Sequence, residues 1–312
     1  MAGPAPAVAA GDAGGEEEDG PGGADDSRPE ASSAGPQRLS WGSGLVAAYP
    51  FTPDFQLEFQ GSRIEAIQHL CPGHPGGTRA VAVFFPGVHG GVGPCRTPGR
   101  NYCPDALFPT VCRRLVELPG ADVDCYRVSW PFMRPRVAYA VGGACRILHH
   151  ALLQAMRGTP PSAPCREVRV VFVGHSLGGA VALQAAEVVA RHFGADGEGG
   201  QQMEGLERAV VRMAGVCTLN GAFASGQEER EATGSLWGVR ALVVAGTDDE
   251  VVPPETSRVL TEALPMQGKR LLELEGGTHD LFTYKEQLVE EVTRFIVECA
   301  GSGDPARREP DA

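Results

Sequence analysis

A serine lies at the centre of the sequence Gly174-His175-Ser176-Leu177-Gly178, after a run of β-branched residues and before an alanine-rich stretch. This order predicts a sharp turn from a strand into a helix, in which the two glycines leave room where a Cβ would clash. Such a turn raises the serine hydroxyl above a sheet, where the N–H of Leu177 could stabilise an oxyanion at the helix N-terminus. Ser176 is therefore a candidate nucleophile; the alternative is a structural turn whose serine caps the helix.

A serine hydroxyl is a poor nucleophile unless a base removes its proton, so a histidine is expected near Ser176. Of the eight histidines, His279 fits best, because it lies in a glycine-containing loop after the strand candidate at residues 270–274. That loop is expected at the same sheet edge as the serine. The alternative for His279 is a solvated surface residue. His175 is expected to point away from the serine hydroxyl and is a candidate substrate contact.

A carboxylate is needed to hold one tautomer of the base and to stabilise its protonated form. Residues 248–250 place three adjacent carboxylates after a strongly apolar run, between the serine and the histidine in chain order. The other strand end in that interval, residues 219–222, has no carboxylate. We predict Asp249 as the acid, with Asp248 as the alternative. The carboxylate that does not act is expected to be an exposed loop residue.

A second oxyanion donor is expected from the loop that precedes the first long helix. This loop, residues 86–91, is rich in glycine. The N–H of Val88 is the predicted donor beside that of Leu177, and the N–H of His89 is the alternative. Gly87 and the His89 side chain are candidate substrate contacts, and a plain loop position is an equal alternative for His89.

Strand-like and helix-like segments alternate through the middle of the chain. Alternation of this kind requires right-handed crossovers and a mainly parallel sheet with helices on both faces, so we predict the α/β fold class. The expected strands span residues 55–60 and 63–69 as a hairpin, then 79–85, 123–130, 168–173, 211–219, 239–245 and 270–274; the expected helices span 105–118, 137–156, 179–193, 255–264 and 280–299.

The two ends of the chain differ in composition from its centre. Residues 1–30 carry eight carboxylates against one arginine, a net charge of −7. The first forty residues have too few large apolar side chains to offset the entropy lost on ordering. We predict disordered tails at residues 1–45 and 301–312 around one catalytic domain at residues 46–300.

Composition also argues against several partners and locations. The chain has no basic stripe, so nucleic acid is not expected as a partner. No apolar run is long enough to span a bilayer, and the N-terminus resembles neither a secretory signal nor a transit peptide. The nine cysteines are odd in number and lack metal-ligand spacing, which favours reduced thiols in the cytoplasm. No metal or other cofactor is predicted.

The candidate residues resemble the α/β-hydrolase superfamily over most of the chain. The Gly-His-Ser-Leu-Gly-Gly turn, the segment around Asp249 and His279 follow that family's order of serine, acid and histidine. The turn looks most like that of the lipase, monoglyceride-lipase and serine-aminopeptidase branch. Two features depart from the family: Pro86-Gly87 stands where many relatives have His-Gly, and residues 223–237 are too few for the helical cap that relatives often insert there.

The resemblance implies an α/β-hydrolase fold with little or no cap domain and a carboxylic-ester hydrolase activity. The expected reaction is cleavage of an ester or thioester in a small-molecule acyl substrate, through an acyl-enzyme formed on Ser176 with His279 as base. Peptidase, lactonase or acyltransferase chemistry would use the same residues. A non-catalytic ligand-binding or interaction module is the alternative from another class, because one fold can host several functions.

Overall fold

A computed structural model gives the arrangement of the chain. The structure describes residues 55–60, 62–71, 80–88, 96–97, 100–101, 103–130, 136–157, 166–193, 206, 209–223, 234–266 and 268–301. Three predictions lie outside these residues: the tails, apart from Gly301, the roles of His89, and the short segment at residues 224–233 that implied a small cap.

A mainly parallel sheet is the centre of the fold. Its strands, and a separate small hairpin, are β1 (Phe55–Phe59), β2 (Ser62–His69), β3 (Ala80–Phe85), β4 (Arg96–Thr97), β5 (Arg100–Asn101), β6 (Val123–Ser129), β7 (Arg166–His175), β8 (Ala209–Leu219), β9 (Arg240–Gly246) and β10 (Arg270–Leu274). The sheet has eight strands in the order β1-β2-β6-β3-β7-β8-β9-β10, and β4 pairs with β5 apart from it. Pairing is antiparallel for β1–β2 and β2–β6 and parallel for the rest of the sheet. The carboxyl ends of β3, β7, β8, β9 and β10 therefore share one edge, where ligand sites of such sheets form.

Helices cover both faces of this sheet: α1 (Cys103–Glu117), α2 (Val137–Ala155), α3 (Leu177–Phe193), α4 (Pro254–Ala263) and α5 (Lys285–Ala300). All six residues of β3 are buried, because successive side chains of a strand point to opposite faces and both faces are covered. Val81, Val83 and Phe85 pack in the core that includes α2 and α3, whereas Ala80, Ala82 and Phe84 pack in the core that includes α1 and α5.

The predicted α/β class with a mainly parallel sheet is confirmed, and every expected strand and helix is present. Element ends differ by at most two residues from those expected, with one exception. The helix expected to begin at residue 280 begins at Lys285. The Asp280 carboxylate accepts hydrogen bonds from the Thr278 hydroxyl and from the N–H of Phe282, which stabilises a turn in place of helix. The hairpin of β4 and β5 was not predicted.

Candidate active site

Ser176 lies at the turn between β7 and α3, in a backbone conformation that few residues other than glycine adopt. Its φ is +53°, in the left-handed region, which costs about 1–3 kcal/mol and persists only where surrounding contacts enforce it. Its N–H donates to the Leu219 carbonyl (3.0 Å), and its own carbonyl accepts from Gly179 (2.9 Å) and Ala222 (2.9 Å). These bonds hold the serine at the sheet edge with 5 % of its surface exposed.

The glycines on either side of the serine meet a strict spatial requirement. A Cβ at Gly174 would overlap the carbonyl of Gly178, and a Cβ at Gly178 would overlap the carbonyl of Phe85 at the end of β3. These neighbours are backbone atoms, which cannot move aside without disrupting the sheet. The Gly-x-Ser-x-Gly spacing therefore follows from the close approach of strand, helix and neighbouring strand.

A histidine and a carboxylate meet at the same sheet edge. Nδ1 of His279 lies 2.8 Å from Oδ2 of Asp249, and the Asp249 side chain is fully buried while 16 % of the His279 side chain is exposed. The other carboxylate oxygen of Asp249 accepts from the N–H groups of Val251 (2.8 Å) and Val252 (2.9 Å). Asp248 is exposed, and its carboxylate accepts from the Thr247 hydroxyl (3.3 Å). The structure thus pairs Asp249 with the histidine.

The contacts of Asp249 keep its carboxyl ionised. Burial, the largest influence, raises its pKa, but the hydrogen bonds with His279 and with the N–H groups of Val252 and Val251 outweigh burial and bring the pKa below its usual value. A carboxylate anchored in this way accepts a hydrogen bond from the N–H at Nδ1 of the imidazole. The second ring nitrogen of His279, Nε2, is then unprotonated and can act as a base.

His175 is buried and contacts the loop that carries His279. Only 3 % of its surface is exposed, and its Nε2 lies 2.8 Å from the His279 carbonyl oxygen. Because a carbonyl oxygen can only accept a hydrogen bond, Nε2 carries the proton and donates. The two rings lie 4.9 Å apart between centroids. Burial, followed by the charge of His279, lowers the pKa of His175 to about 3, which keeps it neutral. The contact between His175 and substrate stays a prediction.

We expect His175→Gln to remove part of the acid sensitivity of the fold, since glutamine keeps an N–H donor but does not titrate. In the unfolded chain histidine titrates near pH 6.5, against a pKa of about 3 in the folded protein. The unfolded state therefore binds the extra proton between these values, so this stabilisation is present above pH 6.5 and is lost as the pH falls toward 3. From pH 7 to pH 5, the wild type should lose about 2 kcal/mol more free energy of unfolding than the variant. Denaturant titrations at both pH values measure this difference, and equal losses would contradict it.

The loop after β3 approaches the serine closely. A Cβ at Gly87 would lie 3.3 Å from the Ser176 Cβ and 3.3 Å from Nδ1 of His175. The indole N–H of Trp130 donates to the Pro86 carbonyl over 3.4 Å, a long hydrogen bond, and its ring stacks on Phe85. The structure therefore places Gly87 beside the serine. Val88 follows Gly87 in this loop, and Leu177, the first residue of α3, follows the serine directly. Their roles in oxyanion and substrate binding stay predictions.

Asn220 follows β8 at the same edge and was missed at the sequence level. Its side chain contacts both the strand end before Asp249 and the loop of His279. The residues at this strand end include no carboxylate, and a neutral amide does not meet the requirement for an acid. A useful signal was available, because asparagine before glycine at a strand end often adopts a left-handed conformation and bonds to nearby backbone.

Other types of site are not evident in the part of the chain that the structure describes. Within it, no group of three or more His, Cys, Asp or Glu side chains is arranged to hold a metal ion. None of its helices is both long enough and apolar enough to cross a membrane.

Comparison with known proteins agrees with this architecture. Residues 82–238 match the model of the alpha/beta hydrolase family, about half of the chain. The chain belongs to the alpha/beta hydrolase family. The matched region contains Ser176 and the loop after β3, whereas Asp249 and His279 lie beyond it. No curated protein matches the chain in sequence.

Solved structures of this hydrolase fold are similar to the chain over most of their length. One is Est1E from Butyrivibrio proteoclasticus, with 14 % identity, a TM-score of 0.54, and coverage of 80 % of this chain and 100 % of that one. Another is a predicted CIB-like hydrolase from Thermoplasma acidophilum, with 15 % identity, a TM-score of 0.51, and coverage of 78 % and 97 %. Identities this low establish the fold and leave the substrate to be inferred from the site.

Proposed function

We propose that the protein is a serine hydrolase that cleaves a carboxylic ester or thioester through an acyl-enzyme intermediate. The observation that carries the proposal is the hydrogen bond of 2.8 Å between His279 and the fully buried carboxylate of Asp249. This pair lies at the sheet edge where Ser176 is held in a left-handed turn. A histidine oriented by a buried carboxylate, at the sheet edge that also carries a serine in a strand-to-helix turn, is the arrangement that can activate a serine hydroxyl.

In the proposed reaction, the Ser176 Oγ attacks the carbonyl carbon of the substrate while Nε2 of His279 takes the hydroxyl proton. The ionised Asp249 stabilises the imidazolium that forms. The tetrahedral intermediate collapses as the bond to the leaving oxygen or sulfur breaks and His279 returns the proton to the leaving group. Water then attacks the acyl-enzyme by the same base catalysis, which releases the carboxylic acid and the free serine.

The oxyanion of each tetrahedral intermediate needs hydrogen-bond donors that are already in place. We assign this role to the N–H groups of Leu177 and Val88. Two features support the assignment: Leu177 is the first residue of α3, where unpaired N–H groups and the helix dipole favour negative charge, and Gly87 lets the loop after β3 come close to the serine. Gly87, His175 and His89 are the proposed substrate contacts, and a small-molecule acyl compound is the proposed substrate.

The proposal is tested by labelling the protein with a fluorophosphonate probe and mapping the modified peptide by mass spectrometry. The expected result is a single adduct on Ser176, together with turnover of p-nitrophenyl esters and of an acyl thioester. The rates of hydrolysis of esters with different acyl chain lengths are then compared to rank the substrates. A folded protein that takes no label and hydrolyses none of these substrates would overturn the proposal and favour a binding role on the same fold.

A further inference from the structure

The end of β8 lies between the strand that carries the serine and the strand that leads to the acid. In the sheet, β8 has β7 on one side and β9 on the other. The Leu219 carbonyl accepts the N–H of Ser176 (3.0 Å), and the N–H of the next residue, Asn220, donates to the Val244 carbonyl of β9 (2.9 Å). This strand end therefore contacts the elements that carry two of the three proposed catalytic residues.

The Asn220 side chain extends these contacts to the third. Its Oδ1 accepts from the N–H of Gly246 (2.8 Å), at the end of β9. Its Nδ2 donates to the carbonyls of Thr278 (3.0 Å) and His279 (3.1 Å). The orientation of the amide follows from its partners, because a backbone N–H can only donate and a carbonyl can only accept. Asn220 is 1 % exposed, so these bonds form away from water.

On these observations we propose that Asn220 is a positioning residue, which fixes the backbone at His279 relative to the strand end that precedes Asp249. The inference rests on the proposed function, since it explains how the histidine and its carboxylate are kept in register. The carbonyl of His279 belongs to the residue whose ring must face Asp249. Holding that carbonyl restricts the backbone at residue 279 and with it the direction in which the imidazole leaves the chain.

A second donor reaches the same carbonyl. Nε2 of His175, at the end of β7, lies 2.8 Å from it, so side chains from two adjacent strand ends hold one oxygen. Burial keeps His175 neutral, which means that it donates a hydrogen bond without placing a second positive charge beside the imidazolium. The loop itself is close to β9, because the N–H of Asp248 donates to the Gly277 carbonyl (2.9 Å). That bond ends two residues before the histidine, and Asn220 and His175 supply the contacts at the histidine itself.

The test uses Asn220→Gly, because the φ of Asn220 is +43° and glycine adopts that conformation without strain. The variant removes all three side-chain hydrogen bonds and keeps the backbone turn. Asn220→Asp is the second variant, since it also tolerates a left-handed backbone and keeps an acceptor for Gly246 but presents no donor to the two carbonyls. Thr218→Val is the matched control. Thr218 lies two residues earlier in the chain, in β8, and its buried hydroxyl has no hydrogen-bond partner among the residues that the structure describes.

Two readouts are made on full-length proteins that circular dichroism shows to be folded. In both Asn220 variants, kcat for p-nitrophenyl acetate should fall by about 10²-fold, the loss that a small misplacement of a catalytic group causes, with little change in KM. The second readout is the NMR resonance of the His279 Nδ1 proton, assigned by its absence in His279→Gln. It should broaden or vanish in the Asn220 variants and persist in Thr218→Val, which should also keep the wild-type kcat.

The outcomes separate this inference from the proposed function. If the Nδ1 proton resonance persists in both Asn220 variants, the positioning role is overturned, whatever happens to kcat. If the resonance is lost in those variants but the wild type neither hydrolyses esters nor takes a fluorophosphonate label, the positioning role stands and the hydrolase proposal fails. If the resonance is lost to the same extent in Thr218→Val, its loss reflects a general disturbance of β8, and the inference is overturned as well.

Discussion

Ser176→Ala should abolish ester hydrolysis while leaving the fold intact. Alanine removes only the hydroxyl oxygen and keeps the Cβ, so the turn with its φ of +53° is unchanged. Without the hydroxyl no acyl-enzyme forms, and kcat should fall by about 10⁶-fold, the loss that follows removal of the nucleophile in a serine protease with the same three residue types. Steady-state assays with p-nitrophenyl acetate and butyrate measure the rate, and thermal unfolding checks the fold.

Ser235→Ala is the matched control for this experiment. Ser235 is half-buried in a short turn, and its hydroxyl contacts Arg191 (3.3 Å) on α3. This variant should hydrolyse both esters at the wild-type rate and take the fluorophosphonate label. A folded Ser176→Ala protein that retains the wild-type rate would show that another group is the nucleophile.

The sheet could be predicted from the sequence because its strands have a strong local pattern. The apolar runs that became β3, β7 and β9 are buried on both faces, and such runs are typical of parallel strands covered by helices. The start of α5 could not be predicted in the same way. There the apolar spacing of the helix extends back to Leu281, but the Asp280 side chain bonds to nearby groups and the helix begins only at Lys285.

The candidate site was predictable where chain order and residue type carry the information. The serine turn, the choice of His279 among eight histidines, and a carboxylate after β9 all follow from the elements that precede them. The sequence could not decide between Asp248 and Asp249, because both follow the same strand and the geometry of the turn determines which carboxylate faces inward. The contacts of the Asn220 side chain could not be predicted from the sequence either, since its three partners come from segments more than twenty residues away.

Asp249→Asn should lower kcat for ester hydrolysis by about 10⁴-fold, the loss that the same substitution causes in a serine protease triad. The direction follows from the anchoring of the side chain. The N–H groups of Val251 and Val252 already bond to one carboxylate oxygen, so the amide oxygen of asparagine should take that place and turn the NH₂ group toward His279. Nδ1 would then have to accept, and Nε2 would carry the proton that it should remove from Ser176. Steady-state kinetics with p-nitrophenyl acetate measure the loss.

Asp248→Asn is the control that distinguishes this mechanism from a general loss of negative charge in the loop. Asp248 is exposed and lies one residue away, so the substitution makes the same change of charge next to the same strand end. It should leave kcat near the wild-type value, because no proton of His279 depends on it. If Asp248→Asn causes the large loss and Asp249→Asn does not, the acid is Asp248, and the pairing of Asp249 with His279 is structural. If neither variant loses activity, the histidine does not require an acid, and the proposed triad is wrong at this position.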